Sequence, residues 1–129
     1  MTSPLSGIYR SYVACLNRQD LAHLDQFVRD DVHHNGRAFG LSGYREMLVG
    51  DFRTIPHLRF TIALLVVEAP YVACRLDFDC TPHGAFLGLP VNGQRVTFSE
   101  NVFYEFKDEK IWRVWSVIDK AAIEAQVSS

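Results

Sequence analysis

Apolar side chains recur at Leu5, Ile8, Tyr9, Tyr12, Val13 and Leu16, the three-and-four spacing that lays one stripe along a helix. The stripe follows Ser3-Pro4, with proline at the first helical position, and predicts a helix to about Asn17. Asp20 is placed to cap a second, short helix with an apolar face of Leu21, Leu24, Phe27 and Val28, stopped by Asp30-Asp31. A short extended piece, Val32 to Asn35, leads into a turn at Gly36. Ser42 then caps a third helix to about Arg53, with Tyr44, Met47, Leu48, Phe52 and Ile55 inward and Pro56 ending it.

Beyond Pro56 the period changes from helical to alternating. Leu58 to Glu68 is apolar on both faces, which predicts a strand that is central or lies at an interface. After a turn at Ala69-Pro70, Val72, Cys74, Leu76, Phe78 and Cys80 alternate with Arg75, Asp77 and Asp79. The breakers Gly84, Gly88, Pro90 and Gly93 make Pro82 to Gly93 a loop or lid. Val96 to Phe106 and Ile111 to Asp119 form a hairpin around Lys107-Asp108-Glu109-Lys110, and Lys120 to Val127 returns to helix. Helices followed by antiparallel strands predict an α+β fold. Long strands coil, so the expected shape is a cone: a curved sheet wrapped around the N-terminal helices, open at one end, with room for a small apolar ligand.

Composition narrows the partners. The 129 residues predict a single domain over 1–129, and 48% hydrophobic with 22% charged residues is the balance of a folded soluble chain. Thirteen basic against fifteen acidic residues, with no basic run, argue against nucleic acid as a partner. The longest apolar run, Ile62 to Val67, is far short of the ~20 residues of a membrane helix, and the N-terminal residues do not read as a signal peptide. Cys15, Cys74 and Cys80 are odd in number and lack Cys-x-x-Cys spacing, so they read as buried hydrophobes in a reducing cytoplasm rather than metal ligands. No metal site is expected.

Three passages carry a family resemblance. They are Asp31-Val32-His33-His34-Asn35-Gly36-Arg37 with Gly40-Leu41-Ser42-Gly43-Tyr44, then Thr81 to Pro90 with Gly93-Gln94-Arg95-Val96, and last Lys110-Ile111 with Trp115 and Asp119. Together they resemble the SnoaL-like polyketide cyclases, a branch of the nuclear transport factor 2-like superfamily that also holds ketosteroid isomerase. The resemblance implies a cofactor-free enzyme performing acid/base, intramolecular aldol-type chemistry on a small apolar or polycyclic carbonyl compound. It also implies Asp119 as the acid/base and His34 in the substrate site. Two departures stand out. Many relatives carry Gly-Thr-His-x-Gly where this chain has Cys80-Thr81-Pro82-His83-Gly84, so Pro82 takes the histidine's place. Glu105 and Arg113 reverse the relatives' usual signs on the hairpin, which keeps a cross-strand pair.

The candidate chemistry also follows from the alternation. Trp115, Val117 and Asp119 share one face; if it points inward, Asp119 is a carboxylate in apolar surroundings with a raised pKa. A cap on the helix from Lys120 explains Asp119 equally well. His34 shares a face with Val32 and would meet the pocket, where it and Asn35 would hold a developing enolate oxygen, unless it is a core histidine bonded to a carbonyl. Glu100 interrupts the stripe Phe98, Glu100, Val102, and pairing that sums to 217 puts it opposite Val117, one step from Asp119; a slip of one residue would send it to solvent. Tyr44, Met47, Phe86, Phe98 and Trp115 complete the expected lining. Asp51 reads as a boundary carboxylate of the third helix, and Arg75 with Asp77 as a surface ion pair. Arg75-Leu76-Asp77 also resembles the Arg-x-Asp of limonene-epoxide hydrolases, but the carboxylate those enzymes need after the last-strand Trp is here Val117. The alternatives to the cyclase reading are a non-catalytic, small-molecule-binding dimeric scaffold and an epoxide-hydrolase-like enzyme. A homodimer packed through its sheet faces is expected under either of the first two readings.

Overall fold

The computed structural model describes residues 4–127. Helix α1 (Pro4–Asn17) is followed by a 3₁₀ helix (Leu21–Gln26), strand β1 (Val28–His34), helix α2 (Gly40–Thr54) and strands β2 (Thr61–Glu68) and β3 (Tyr71–Cys80). A miniature hairpin, β4 (Ala85–Phe86) and β5 (Leu89–Pro90), precedes β6 (Val96–Lys107), β7 (Lys110–Ile118) and helix α3 (Lys120–Val127). The main sheet has the order β1-β7-β6-β3-β2; all neighbours are antiparallel except β1 and β7. This is the expected α+β cone, a curved sheet closed by helices. None of the helices described is long and apolar enough to cross a membrane.

The core lies between the helices and the inner sheet face. α1 buries Leu5, Tyr9, Tyr12, Val13 and Leu16, while β3 buries Val72, Cys74, Leu76, Phe78 and Cys80 as the alternation predicts. Each such aliphatic side chain contributes roughly 1.5–3 kcal/mol on burial. Four tyrosine hydroxyls carried inside are partnered across elements. Tyr9 donates its hydroxyl to that of Tyr104 at 3.2 Å, and the hydroxyls of Tyr12 and Tyr44 lie 2.7 Å apart. The three cysteines are free and buried.

α1 begins at Pro4, as expected, and Ser3 lies outside the described residues. Later elements differ from the sequence expectation. The second helix is 3₁₀, because apolar residues three apart (Leu21, Leu24, Phe27) match its three residues per turn. Asp20 caps no backbone N–H there; its carboxylate meets His23 Nδ1 at 2.9 Å, and Val28 already opens β1. Ser42 sits inside α2, which starts at Gly40 without a side-chain cap. β2 starts at Thr61 and is an edge strand, not a central one, with Leu64 and Val66 exposed on its outer face.

The β6–β7 hairpin decides which residues face the interior. Its two-residue turn, Asp108-Glu109, has positive φ at both positions (54° and 62°), the signature of the type I′ turn that matches strand twist. Phe106 then pairs with Ile111, as a sum of 217 requires, but Glu105 pairs with Arg113. Trp112 is the extra residue of a β-bulge. Beyond it every pair sums to 218, so Glu100 stands opposite Ile118, not Val117. Val114, Ser116 and Ile118 turn inward, whereas Trp115 and Val117 turn outward with 39% and 70% of their surface exposed. The Arg113–Glu105 pair is present at 3.7 Å.

Candidate functional site

Inside the cone are two hollows that share a wall of Asp51, Phe60, Glu100 and Ile118. The larger, about 140 Å³, extends past His34, Tyr44, Met47 and Ser116. The smaller, about 50 Å³, ends in Phe78, Phe86 and Phe98. Phe86 reaches it from the β4–β5 hairpin and packs on Phe98 with ring centres 5.7 Å apart. The expected lining by Tyr44, Met47, Phe86 and Phe98 is therefore present, with the Pro82–Gly93 segment at one wall. Trp115 is absent from it, because the bulge turns its ring to the outer face.

Glu100 comes from β6, whose Phe98, Glu100 and Val102 share the inner face. Burial pushes its carboxyl up to about 7; a hydrogen bond with the Ser116 side chain opposes this, and the nearby Asp51 charge adds to it. Asp51 comes from α2, one turn beyond Met47 and Leu48, and burial pushes it up to about 6. The two values fit one sequence of events. Asp51, the stronger acid, ionises first, and its charge then makes Glu100 harder to ionise.

His34 forms the opposite end. Its ring stacks on Phe39 (centroids 5.5 Å, planes 19° apart) and meets the edge of Tyr44 at 6.3 Å. Gly43 leaves Phe39 room, since a Cβ there would stand 3.3 Å from Phe39 Cβ, tighter than an ordinary contact. Burial, and secondarily the charge of Arg37, lowers the His34 pKa, so the ring is neutral near pH 7. His34 Nε2 lies 3.5 Å from Ser116 Oγ. Ser116 thus stands between the imidazole and Glu100. The Tyr12 and Tyr44 hydroxyls, both with raised pKa, stay protonated.

Other expected positions are placed differently. Asp119 is exposed, and its Oδ1 accepts the Ala122 N–H at 3.1 Å, an N-cap on α3. It borders an open hollow on the outside of the sheet, with Arg75 and Asp77, and is not among the residues of the interior cavity. The expectation that Asp119 points inward fails because the bulge reverses the face on which Trp115 and Val117 lie. Asn35 is exposed, and its side chain is engaged by the β7 backbone: it accepts the Ser116 N–H at 2.8 Å and donates to the Ser116 carbonyl at 3.3 Å. That amide ties β1 to β7, and Asn35 is not among the residues that line the two hollows. Arg75 donates to Asn101 and Asp77 accepts from Ser99, rather than pairing with each other. Both are outside the interior cavity, so the arrangement needed for epoxide hydrolysis is not assembled. Pro82 is buried in the histidine's usual place, and His83 is exposed.

Asp51 and Ser116 carry the site beyond what the sequence reading singled out. A signal for Asp51 exists: Tyr44, Met47, Leu48, Asp51 and Ile55 follow helical spacing, so the carboxylate interrupts an apolar stripe. None exists for Ser116, whose facing depends on the bulge.

A curved α+β sheet closed by helices over an interior lined with ionisable groups is a fold of the nuclear transport factor 2-like type. The chain belongs to the SnoaL-like polyketide cyclase family, whose model matches residues 6–127. It is 57% identical to a SnoaL-like polyketide cyclase from Agrobacterium tumefaciens, over 98% of this chain and 99% of that one, with a TM-score of 0.95. IdmH from Streptomyces antibioticus (18% identity, 98% and 100% covered, TM-score 0.84) and TsrD from Streptomyces laurentii (23%, 98% and 96%, 0.84) share the fold. Comparison with curated proteins gave no match.

Proposed function

We propose that this chain is an acid–base enzyme that moves a proton at the carbon beside a carbonyl of an apolar small molecule, as in intramolecular aldol ring closure. The observation that carries the reading is the pair Asp51 and Glu100, two carboxylates in one largely apolar cavity, raised to about 6 and about 7. At pH 7 such a pair holds one largely ionised member and one that keeps its proton about half the time, which divides the roles of base and acid by environment alone. Ionised Asp51 takes the α-proton and the electron pair passes into an enolate. The enolate carbon bonds to a second carbonyl carbon of the same molecule, and Glu100 gives its proton to the resulting alkoxide. Product and substrate are isomers. The enzyme is left with the proton on Asp51 instead of Glu100, and transfer between the two carboxyls restores it. Neutral His34 offers an N–H to oxygen as charge develops there.

The general acid/base contribution is ~10²–10⁴-fold. Enolisation is tested without the natural substrate by following α-proton exchange of acetophenone in D₂O by NMR. Wild type is expected to accelerate exchange and Asp51→Asn to lose that acceleration. Ligand binding without exchange would instead support a non-catalytic binding protein.

A further inference from the structure

The interior cavity also speaks to the size and charge of what it admits. The larger hollow, about 140 Å³, is near the ~150 Å³ that holds one benzene ring. The smaller, about 50 Å³, has room for a short arm but not a second ring. Both together fall below the ~300 Å³ at which small-molecule pockets ordinarily begin. Neither hollow is lined by a lysine or arginine, and Asp51 and Glu100 face both. An anionic ligand would bring a further negative group to a cavity that already holds an ionised carboxylate and no cation to receive it, and would lose its hydration in the process.

We infer that the substrate is a neutral, single-ring carbonyl compound whose short side arm carries the second carbonyl, its ring in the hollow beside Met47 and Tyr44 and the enolising carbonyl at the shared Asp51–Glu100 wall. This rests on the acid–base reading for the carbonyl, while size and charge follow from the cavity alone. Polycyclic ketones are too large, and carboxylated or phosphorylated ones carry the wrong charge. Phe86 limits the arm. It closes the smaller hollow from the β4–β5 hairpin, where its side chain is only partly buried.

Binding separates this inference from the proton-transfer reading, because it needs no turnover. Calorimetry on wild type should give acetophenone a Kd at least tenfold below that of 3-acetylbenzoate, which adds a charge, and of anthrone, which adds rings. Phe86→Ala should improve the Kd of valerophenone, with its longer arm, at least fivefold relative to that of acetophenone. Equal or tighter binding of anthrone or 3-acetylbenzoate by wild type overturns the inference, as does failure of all the probes to bind. Acetophenone that binds selectively yet exchanges no α-proton leaves the size and charge class standing and removes the proton-transfer reading.

Discussion

Replacing Glu100 by Gln should make the protein more stable at pH 8 and leave it nearly unchanged at pH 4. Burial lifts the Glu100 carboxyl from an ordinary 4.5 to about 7. The folded protein then holds this proton more tightly than the unfolded chain does. Between those two values the folded state binds more protons, so stability falls as pH rises. The penalty is absent below about 4.5 and complete above about 7. At about 1.36 kcal/mol per unit, its full size is about 3 kcal/mol. Glutamine has nearly the same shape, carries no charge to desolvate, and keeps an oxygen able to accept from Ser116 Oγ. For a chain of 129 residues, an unfolding entropy of ~2.1 cal/mol/K per residue turns that difference into roughly 10 °C in Tm. Thermal and urea unfolding of wild type and Glu100→Gln at pH 4, 6 and 8 is the assay. Stability curves that run parallel across this range, or a variant less stable at pH 8, would refute the claim that Glu100 is held in a poorly solvated cavity.

Further outcomes are expected elsewhere in the molecule. Asp119→Ala should lose about 1 kcal/mol of stability in urea unfolding through the lost cap on α3, with acetophenone α-proton exchange retained; loss of exchange at unchanged stability would return Asp119 to the chemistry. Tyr12→Phe should cost about 1–3 kcal/mol by leaving the Tyr44 hydroxyl without its partner, measured by the same method. We propose that two copies pair through the outer sheet face, where the register sets Val66, Ala73, Phe103 and Trp115 in one row and places Leu64 and Val117 in the next. Sedimentation at micromolar concentration should show a dimer that Phe103→Glu converts to monomer, and a monomeric wild type would exclude it.

The helices and strands were legible because their periods are long and unbroken. The inner stripes of α1 and β3 name the same side chains in sequence and in structure, and the turn at Asp108-Glu109 announces the hairpin. What failed were features that depend on partners. The six residues after Asp20 become a 3₁₀ helix whose would-be cap is drawn to His23. Asn35 matches a family motif, yet it spends its amide on the backbone of β7. For the site, Glu100 was visible as a polar break in an apolar strand face, and its inward direction survives because β6 is regular. Asp51 obeyed the same logic on a helix but lay at the edge of the stripe, where a solvated carboxylate is the ordinary case. Trp115 and Asp119 were misplaced together by one cause, since period-two counting carries an error along a strand to its end.

The Trp112 bulge also bears on how this chain should be aligned with its relatives. It absorbs one extra residue between the turn and the cavity, so the inward order Val114, Ser116, Ile118 is independent of the length of the hairpin end. A relative without that residue would present the same side chains to its cavity one position earlier in sequence. Deleting Trp112 here should likewise leave Glu100 opposite Ile118. An alignment drawn without a gap at this point would match interior positions of one protein with surface positions of the other, and motif residues near the end of β7 would exchange roles on paper while the molecules remained alike.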